Sequence, residues 1–504
     1  MLSSPFDCQS GGRHRQNNGE CLNQVYPAGV TIHSNAFFPL SFFFIVKFSD
    51  SMPRKKTKPV PKRAKKASIQ MPVVNANAAG IDIGGNFHMV CPRQGQVKEF
   101  GVVTRQLHEI AKYLKQEGIT TVAIESTGYH WKPLFVLLQD YGFEVLLVNA
   151  RHIKNVRGRK TDVIDSQWIQ LLHSLGLLNA SFQLDNLGEE LRSYTRHRAY
   201  LIRQRSKFIS KMHAALIQMN IQLPTVIRDL TGKTGKAIIQ AINKGERSPQ
   251  KLADLAHSRI QASREQMIDA LTGTWRAELL FQLKQCYEMY DTFTTQIEEC
   301  DRQIEKLLET EIINKQLDEF KGDVKKKCRQ KNDPTFDVAT FFFQLTGINL
   351  SDIGGIGSSI ILTVFSEVGW DFSKFKSAAS FRSWLGSCPN PKVSGGRIIS
   401  RRGVKKKNRA LEALKKAANA IGNSKKDPLY GFFQKINRKH GRVYAIKATA
   451  NKLATIIYMM ATKKEAFNYM NSEQHQKRVR QKSLNAARKI IQKNELTLEE
   501  LGFQ

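Results

Sequence analysis

An α/β domain followed by a mainly helical remainder is the fold class this chain predicts, and three observations predict it. From about residue 77 to 175, short apolar runs alternate with segments of helical period. Over 191–219 and again over 280–308, apolar positions recur at spacings of three and four. Hydrophobic residues make up 41% of the 504, enough to fill real cores.

The elements follow in order. Ala79–Ile83 reads as a first strand, His88–Pro92 as a second, and Val97–Val103 as a third after the turn at Gln94–Gln96. Gln106–Gln116 has helical period and is closed by Gly118; Thr121–Ile124 is a fourth strand, Trp131–Tyr141 a helix, Phe143–Val148 a fifth strand and Asp162–Leu175 a final helix. Three hairpin-connected strands, then helix, strand, helix, strand, helix, is the order of the RNase H-like fold. Leu191, Tyr194, Arg198, Leu201, Arg205, Phe208, Met212, Ala215 and Met219 form one heptad-like seam. A second runs Leu280, Leu283, Tyr287, Tyr290, Thr294, Ile297, Asp301, Ile304 and Leu308. Two such helices joined by a Pro/Gly-containing segment, Pro224 to Pro249, predict an antiparallel coiled-coil arm. The expected domains are 77–182 (α/β), 183–335 (helical arm, closed by a basic linker at 321–335) and 336–470 (mainly helical). A basic, helix-prone tail fills 471–504.

Lys and Arg number 78 against 44 Asp and Glu, a formal net charge of +34. That excess makes a polyanion the expected partner, nucleic acid first among them. An anionic membrane is the rival, yet no run of 18 apolar residues exists to span a bilayer. The seven cysteines are odd in number and never two residues apart, which excludes a secreted disulfide framework and a Cys-based zinc pair. Free thiols fit a cytoplasmic, nucleoid-associated setting. Residues 1–51 hold only Arg13, Arg15 and Lys47 against Asp7, Glu20 and Asp50, so the whole charge excess lies after them. With Met52 placed like an ordinary start, they read as mis-called upstream translation; a hydrophobic anchor at Phe37–Val46 is the other reading. Residues 52–76 form a basic arm, with eight Lys/Arg and no acid in 53–67, expected to be disordered.

Four acids stand out in the α/β domain. Asp82 sits mid-strand between Ile81 and Ile83, so its carboxylate faces away from both neighbours. Glu125 ends the fourth strand; Asp162 and Asp165 open a helix three residues apart and project from one face. Strands one and four are neighbours in this fold, so the four acids are expected to converge. Together they would repel unless cations sat among them, and two divalent ions clamping the attacking and leaving oxygens of a phosphodiester meet that need. Oxygen-only ligands favour Mg²⁺, with Mn²⁺ the alternative. Asp162 alone has a plainer reading, as a first-turn acid complementing the helix dipole.

Gly80–Ile83, Ala123–Gly128 and Val156–Trp168 resemble the RuvC-like, Asp-Glu-Asp-Asp domain of the Piv-type DNA invertases and of their relatives, the transposases of the insertion-sequence family IS110. The run Gly158–Thr161 leading into the two aspartates is the most specific part. The resemblance implies that Asp82, Glu125, Asp162 and Asp165 are catalytic metal ligands. Arg157, Arg159 and Lys160, just ahead of the aspartates, are placed to hold phosphate.

Residues 392–409 hold eight Lys/Arg and no acid. Ser394 stands before Gly395 and Gly396, where the backbone is permissive; in isolation this is a turn. Upstream, Leu345–Gly347 and Ile353–Ile360 resemble a Gly-Ile-Gly hairpin between helices, whose Gly355 and Gly357 would offer backbone N–H groups to phosphate. Together with Glu367–Asp371, Phe381–Gly386, Pro389 and Ser394–Gly396, this run resembles the C-terminal transposase domain of the same family, whose Ser-Gly motif supplies a serine nucleophile. The resemblance makes Ser394 that nucleophile, with Ser387 and Ser400 lesser rivals, and Gly395, Arg397, Arg401 and Arg402 as nucleic-acid contacts. It covers about 79–470. The sequence departs from the family at Gly84–Asn86, after the first aspartate, and is longer than a typical member.

The expected function is therefore transposition or site-specific recombination of DNA through a covalent phosphoserine link. The resemblance also implies a structured guide RNA and a homo-oligomer, dimer to tetramer. Two alternatives remain. A RuvC-like hydrolytic nuclease would use the same acids and a water, and a non-catalytic DNA-binding descendant of a transposase would use neither.

Overall fold

The computed structural model describes residues 72–93, 96–126, 128–149, 162–317, 324, 328–388, 392–400, 408–467 and 472–495. The upstream segment 1–51, nearly all of the basic arm, and Arg157, Arg159, Lys160, Arg401 and Arg402 lie outside the described residues.

The first domain is one mixed sheet. Strands β1 (Ala78–Ile83), β2 (Phe87–Cys91), β3 (Lys98–Gly101), β4 (Thr121–Glu125) and β5 (Glu144–Val148) stand in the order β3-β2-β1-β4-β5. The first three pair antiparallel; β4 and β5 join in parallel. Helices α1 (Thr104–Gln116) and α2 (Trp131–Asp140) supply the crossovers, and α3 (Asp162–Ser174) follows β5. This is consistent with the RNase H-like order read from the sequence. Period-2 alternation divides the faces. Ala79, Ile81, Ile83, Val122 and Ile124 form one core with Leu107, Ile110, Leu114, Leu134 and Leu138 of α1 and α2. The opposite face carries α3. The departure at Gly84–Asn86 leaves the β1–β2 hairpin intact, closed by the Gly84 N–H donating to the Phe87 carbonyl at 3.1 Å.

Two long helices follow, α4 (Asn186–Gln218) and, after a bridging segment, α9 (Ala277–Asn314). The Asp185 carboxylate caps α4 by accepting the Gly188 N–H at 2.7 Å. The pair is antiparallel: Arg198 meets Asp301, Leu201 packs on Ile297 and Cys300, and Phe208 stacks on Phe293. Both predicted seams face inward; among their members Arg198, Arg205 and Asp301 are buried as deeply as the apolar residues. The bridging segment is more than a Pro/Gly connection. It folds into α5 (Leu223–Val226), α6 (Lys233–Asn243), α7 (Pro249–Ala253) and α8 (Arg264–Leu271), which share a core with Met212, Leu216 and Leu283 of the long pair. Pro224 and Pro249 sit in the first turns of α5 and α7, where proline is tolerated, rather than breaking the chain into loops.

The last domain comprises α10 (Val338–Thr346), α11 (Ser358–Val368), α12 (Ala378–Leu385), the strands β6 (Lys392–Ser394) and β7 (Arg397–Ser400), α13 (Arg409–Asn423), α14 (Tyr430–His440) and α15 (Arg442–Lys463); α16 (Ser472–Lys493) is the tail. Phe342 stacks on Phe365 in a core that also takes Leu191, Ile304 and Leu308 from the long pair, so the root of the arm is fused to this domain. The β6–β7 hairpin is the addition to a domain read from sequence as mainly helical. No described helix is long and apolar enough to cross a membrane.

Candidate active site and nucleic-acid interface

The parallel ladder between β1 and β4 sets Ala79 beside Val122, Gly80 beside Ala123 and Ile81 beside Ile124. Continuing that register by one residue sets Asp82 beside Glu125. Both lie on the face that carries α3, because Ala78, Gly80 and Asp82 alternate with the core-facing Ala79, Ile81 and Ile83. Gly80 makes the close approach possible. A Cβ there would stand 2.3 Å from the Gln170 nitrogen and 2.6 Å from the Ser166 carbonyl oxygen. Gln170 returns a bond from its side-chain amide to the Ala78 carbonyl at 3.1 Å.

Helix and strand run in opposite directions here. His173 Nε2 meets the Thr121 hydroxyl at 2.9 Å at the start of β4, and Ile169 packs on Ala123 midway. Two strand residues advance about 6.6 Å, and four helix residues about 6 Å. The steps Thr121, Ala123, Glu125 therefore keep pace with His173, Ile169, Asp165. The first turn of α3, with Asp165, thus overlies the strand ends that bear Asp82 and Glu125. Glu125 is buried; Asp82 and Asp165 are half-buried. Asp162 opens α3 one turn earlier, its side chain outside the described residues. Among the described residues, no group of three or more His, Cys, Asp or Glu is gathered tightly enough to hold a metal ion. In donor chemistry the four acids are all-oxygen, which suits Mg²⁺ or Mn²⁺ rather than zinc.

Next to this end of the sheet, α4 carries a cation cluster that the sequence reading passed over. Arg196 grips the buried Glu367 of α11 in a fork, Nε to Oε1 at 2.8 Å and Nη2 to Oε2 at 2.7 Å. Arg192 bonds both Glu189 and the Glu367 carbonyl. The Glu367 hydrogen bond holds the Arg196 guanidinium above its usual pKa, whereas burial lowers that of Arg192. Arg196 also lies within electrostatic reach of Tyr129, which is exposed in the loop after Glu125. Their signal in the sequence was a row of arginines without acids, which helical periodicity alone assigns to a solvated face.

Ser394 is exposed at the end of β6. Gly395 and Gly396 have φ of +53° and +76°, so the hairpin closes through two left-handed residues. Arg397 pairs directly with Ser394 across the turn, and Val393 with Ile398 on the other face. Ile399 is the extra residue of a bulge, and with Val393 and Ile398 it is exposed. Ser387 is engaged elsewhere: its hydroxyl lies 2.9 Å from the Arg382 carbonyl and 2.7 Å from Asn451 Oδ1. Ser400 is half-buried opposite Lys392 at the base of the hairpin.

Gly355, at φ +72°, lies flush on α13, where a Cβ would come 2.4 Å from the Ala417 carbonyl oxygen. Packing is thus sufficient reason for that glycine. Gly357 caps α11, and the free N-terminus of that helix meets Asp333: the Ser359 N–H and hydroxyl donate to its carboxylate at 3.3 and 2.6 Å.

Comparison with known families matches both halves. Residues 79–221 match a transposase model of the Asp-Glu-Asp-Asp IS110 type, and residues 348–430 match the model described as transposase IS116/IS110/IS902 family. The chain carries IS110-type transposase domains. The first match takes in Asp82, Glu125, Asp162 and Asp165; the second takes in Gly355, Gly357, Ser394 and Arg397. None of the curated proteins matches the chain. Transposase domains act on DNA, which agrees with the net charge of +34.

Proposed function

We propose that this protein is a DNA transposase that cuts and rejoins DNA through Ser394, with Asp82, Glu125, Asp162 and Asp165 as ligands for Mg²⁺. The observation that supports the reading is the shared end of β1, β4 and α3, the end of the elements on which Asp82, Glu125 and Asp165 stand, inside a matched transposase domain. In the reaction the Ser394 Oγ attacks phosphorus. A serine–phosphate bond forms, the bond from phosphorus to the leaving sugar oxygen breaks, and that oxygen ends with the proton that Ser394 gave up. The proton passes there by way of a carboxylate of the acid set. Arg397, paired with Ser394, is suited to neutralise the phosphate under attack. When bound, Mg²⁺ supplies Lewis-acid stabilisation of the phosphate oxygens.

Rejoining reverses the step with a different sugar hydroxyl, so several broken ends must be held at once; a homo-oligomer, dimer to tetramer, meets that need. A structured guide RNA that pairs with target and donor DNA would supply sequence reading, leaving phosphate contacts to the protein. Arg157, Arg159, Lys160, Gly355, Gly357, Gly395, Arg401 and Arg402 are the further nucleic-acid contacts in this reading.

Covalent trapping tests it. The full chain with Mg²⁺, element-end RNA and nicked labelled DNA is resolved on a denaturing gel beside Ser394→Ala and Asp165→Ala. A protease-sensitive shifted band that both substitutions remove is the expected result. Cleavage to free ends that Ser394→Ala leaves intact would transfer the assignment to a hydrolytic nuclease.

A further inference from the structure

Between Leu191 and Gln218, α4 carries seven Lys and Arg residues and no acid. Its partner α9 has the opposite character, with nine Asp and Glu against three Lys and Arg. Two of the seven turn into the pair and are satisfied there. Arg198 pairs with Asp301 and donates to the Asn332 carbonyl at 3.1 Å, and Arg205 donates to Asn332 Oδ1 at 2.9 Å. Arg192 is half-buried on Glu189 and Glu367. Arg196, Arg203, Lys207 and Lys211 are exposed.

Helical geometry aligns three of these four. At about 100° per residue, Arg203 falls some 20° short of Arg196 after two turns and Lys207 some 20° beyond it after three. They form a narrow stripe about 16 Å long, with exposed Tyr200 alongside. Arg409, the first residue of α13, stands beside this stripe, where the charges of Arg196 and Arg203 both bear on it. Glu189 and Glu367, the acids whose charges bear on Arg196, are already engaged by Arg192 and Arg196.

Arg196 is tied to Glu367, but extending the row with Arg203 and Lys207 adds no stability to the helix itself. Like charges one turn apart, as Arg203 and Lys207 are, destabilise a helix by a few tenths of a kcal/mol. Cations spread over about 16 Å of one helix face suit a ligand whose negative charge repeats along its length, not a single small anion. The stripe begins where Arg196 reaches the Tyr129 loop, next to Glu125, and meets Arg409 in the domain that holds Ser394.

We propose that Arg196, Arg203, Lys207 and Arg409 form a track for the backbone of duplex DNA, running along α4 from the acidic end of the sheet to the last domain. Where the track leads depends on the transposase reading; that it holds duplex DNA does not.

The test uses the full chain and a labelled DNA duplex without guide RNA, titrated across a salt series. Arg203→Gln/Lys207→Gln is compared with Lys425→Gln/Lys426→Gln, which removes two exposed lysines from the α13–α14 turn. The slope of log affinity on log salt should fall by about 0.9 for each phosphate contact removed. The track pair should therefore lose close to twice that, with an unchanged melting temperature, while the control pair keeps the parent slope. Equal losses in both pairs, or none in the track pair, would overturn the track. So would a loss confined to RNA, or a change only in oligomer mass, which would make the stripe a seat for the acidic α9 of a second copy. Repeating the titration with Ser394→Ala separates the two readings. Ser394→Ala should keep the parent slope, since the serine is no part of the track. A parent chain that forms no covalent adduct on the trapping gel yet shows the slope difference keeps the track and loses the transposase mechanism.

Discussion

Ser394 and Arg397 face one another across a turn made of two left-handed glycines, the last pair of the β6–β7 ladder. The turn therefore fixes a hydroxyl and a guanidinium on one face of an exposed ribbon, while Val393 and Ile398 occupy the other. On the proposed mechanism, a pair so disposed would present a phosphate with a nucleophile and a counter-charge together. Arg397→Ala should lower the yield of covalent adduct by one to two orders of magnitude, as losing one preorganised charge at a reacting phosphate does. Because Arg397 is exposed, the melting temperature should stay unchanged, and Arg397→Lys should recover part of the yield. A gel of trapped adduct with a parallel thermal melt checks both.

Placing α3 over the acids depends on Gly80. Gly80→Val would drive a side chain into the backbone of Gln170, 2.3 Å from the Cβ position, so the helix must lift. Overpacking of this kind costs about 1–3 kcal/mol, and the same displacement carries Asp165 away from Asp82 and Glu125. The expected result is a lower melting temperature together with loss of cleavage. Asp82→Asn keeps the size of the side chain, so it should lose cleavage with a much smaller fall in melting temperature than Gly80→Val. Equal melting losses in both variants would show that Asp82 is a structural acid.

Much of this was legible in the sequence. Ile81 and Ile83 flanking Asp82 announced both the strand and the odd side chain on it, and the seams of α4 and α9 were written in their spacing. Arg198 and Asp301 were visible as seam positions, but only their meeting across the pair explains why charges occupy them. The bridging segment α5–α8 was hidden in part because α5, α7 and α8 are too short to show a period. The longer α6 did carry one, with Ile238, Ile239 and Ile242 on its buried face, and the segment holds together by sharing a core with the long pair. In the β6–β7 hairpin, Gly395 and Gly396 between Val393 and Ile398 are a two-residue turn signal, which the basic composition of the segment overshadowed. The Arg196–Glu367 fork joins residues 171 apart in sequence, a relationship that no local pattern encodes.

Two histidines make the first domain sensitive to acid. His173, bonded to Thr121, and His88, buried on β2, both have pKa values pushed below the usual imidazole value, in each case chiefly by burial. Glu144 acts in the opposite direction on His173, and His130 adds to the lowering of His88. The unfolded chain takes up these protons near pH 6.5, before the folded chain does. Their contribution to stability is therefore complete above that pH and is lost as pH falls towards the folded values. Melting temperature should drop on acidification below about 6.5. His173→Gln should flatten that drop while lowering the neutral-pH plateau, and a variant whose profile matches the parent would refute the assignment.

Arg198 and Asp301 form an ion pair almost wholly inaccessible to water between α4 and α9. It also anchors the segment that leads into the last domain: Arg198 donates to the Asn332 carbonyl at 3.1 Å, and Asp301 accepts the Thr335 N–H at 3.1 Å. Asn332 and Lys331 extend the same seam, to Arg205 and to Asp229 beyond it. Removing one partner strands the other without water, which costs about 3–5 kcal/mol. Arg198→Met and Asp301→Leu should each lower the melting temperature sharply. The double variant should be less destabilised than the sum of the two, because an apolar pair leaves no buried charge behind. It still leaves the Thr335 N–H without its acceptor, so recovery should be partial. Proteolysis locates that residual defect: cleavage within 328–335 should be faster in the double variant than in the parent even where their melting temperatures are brought together by added salt or ligand. An additive double variant would mean that the two charges do not act as a pair.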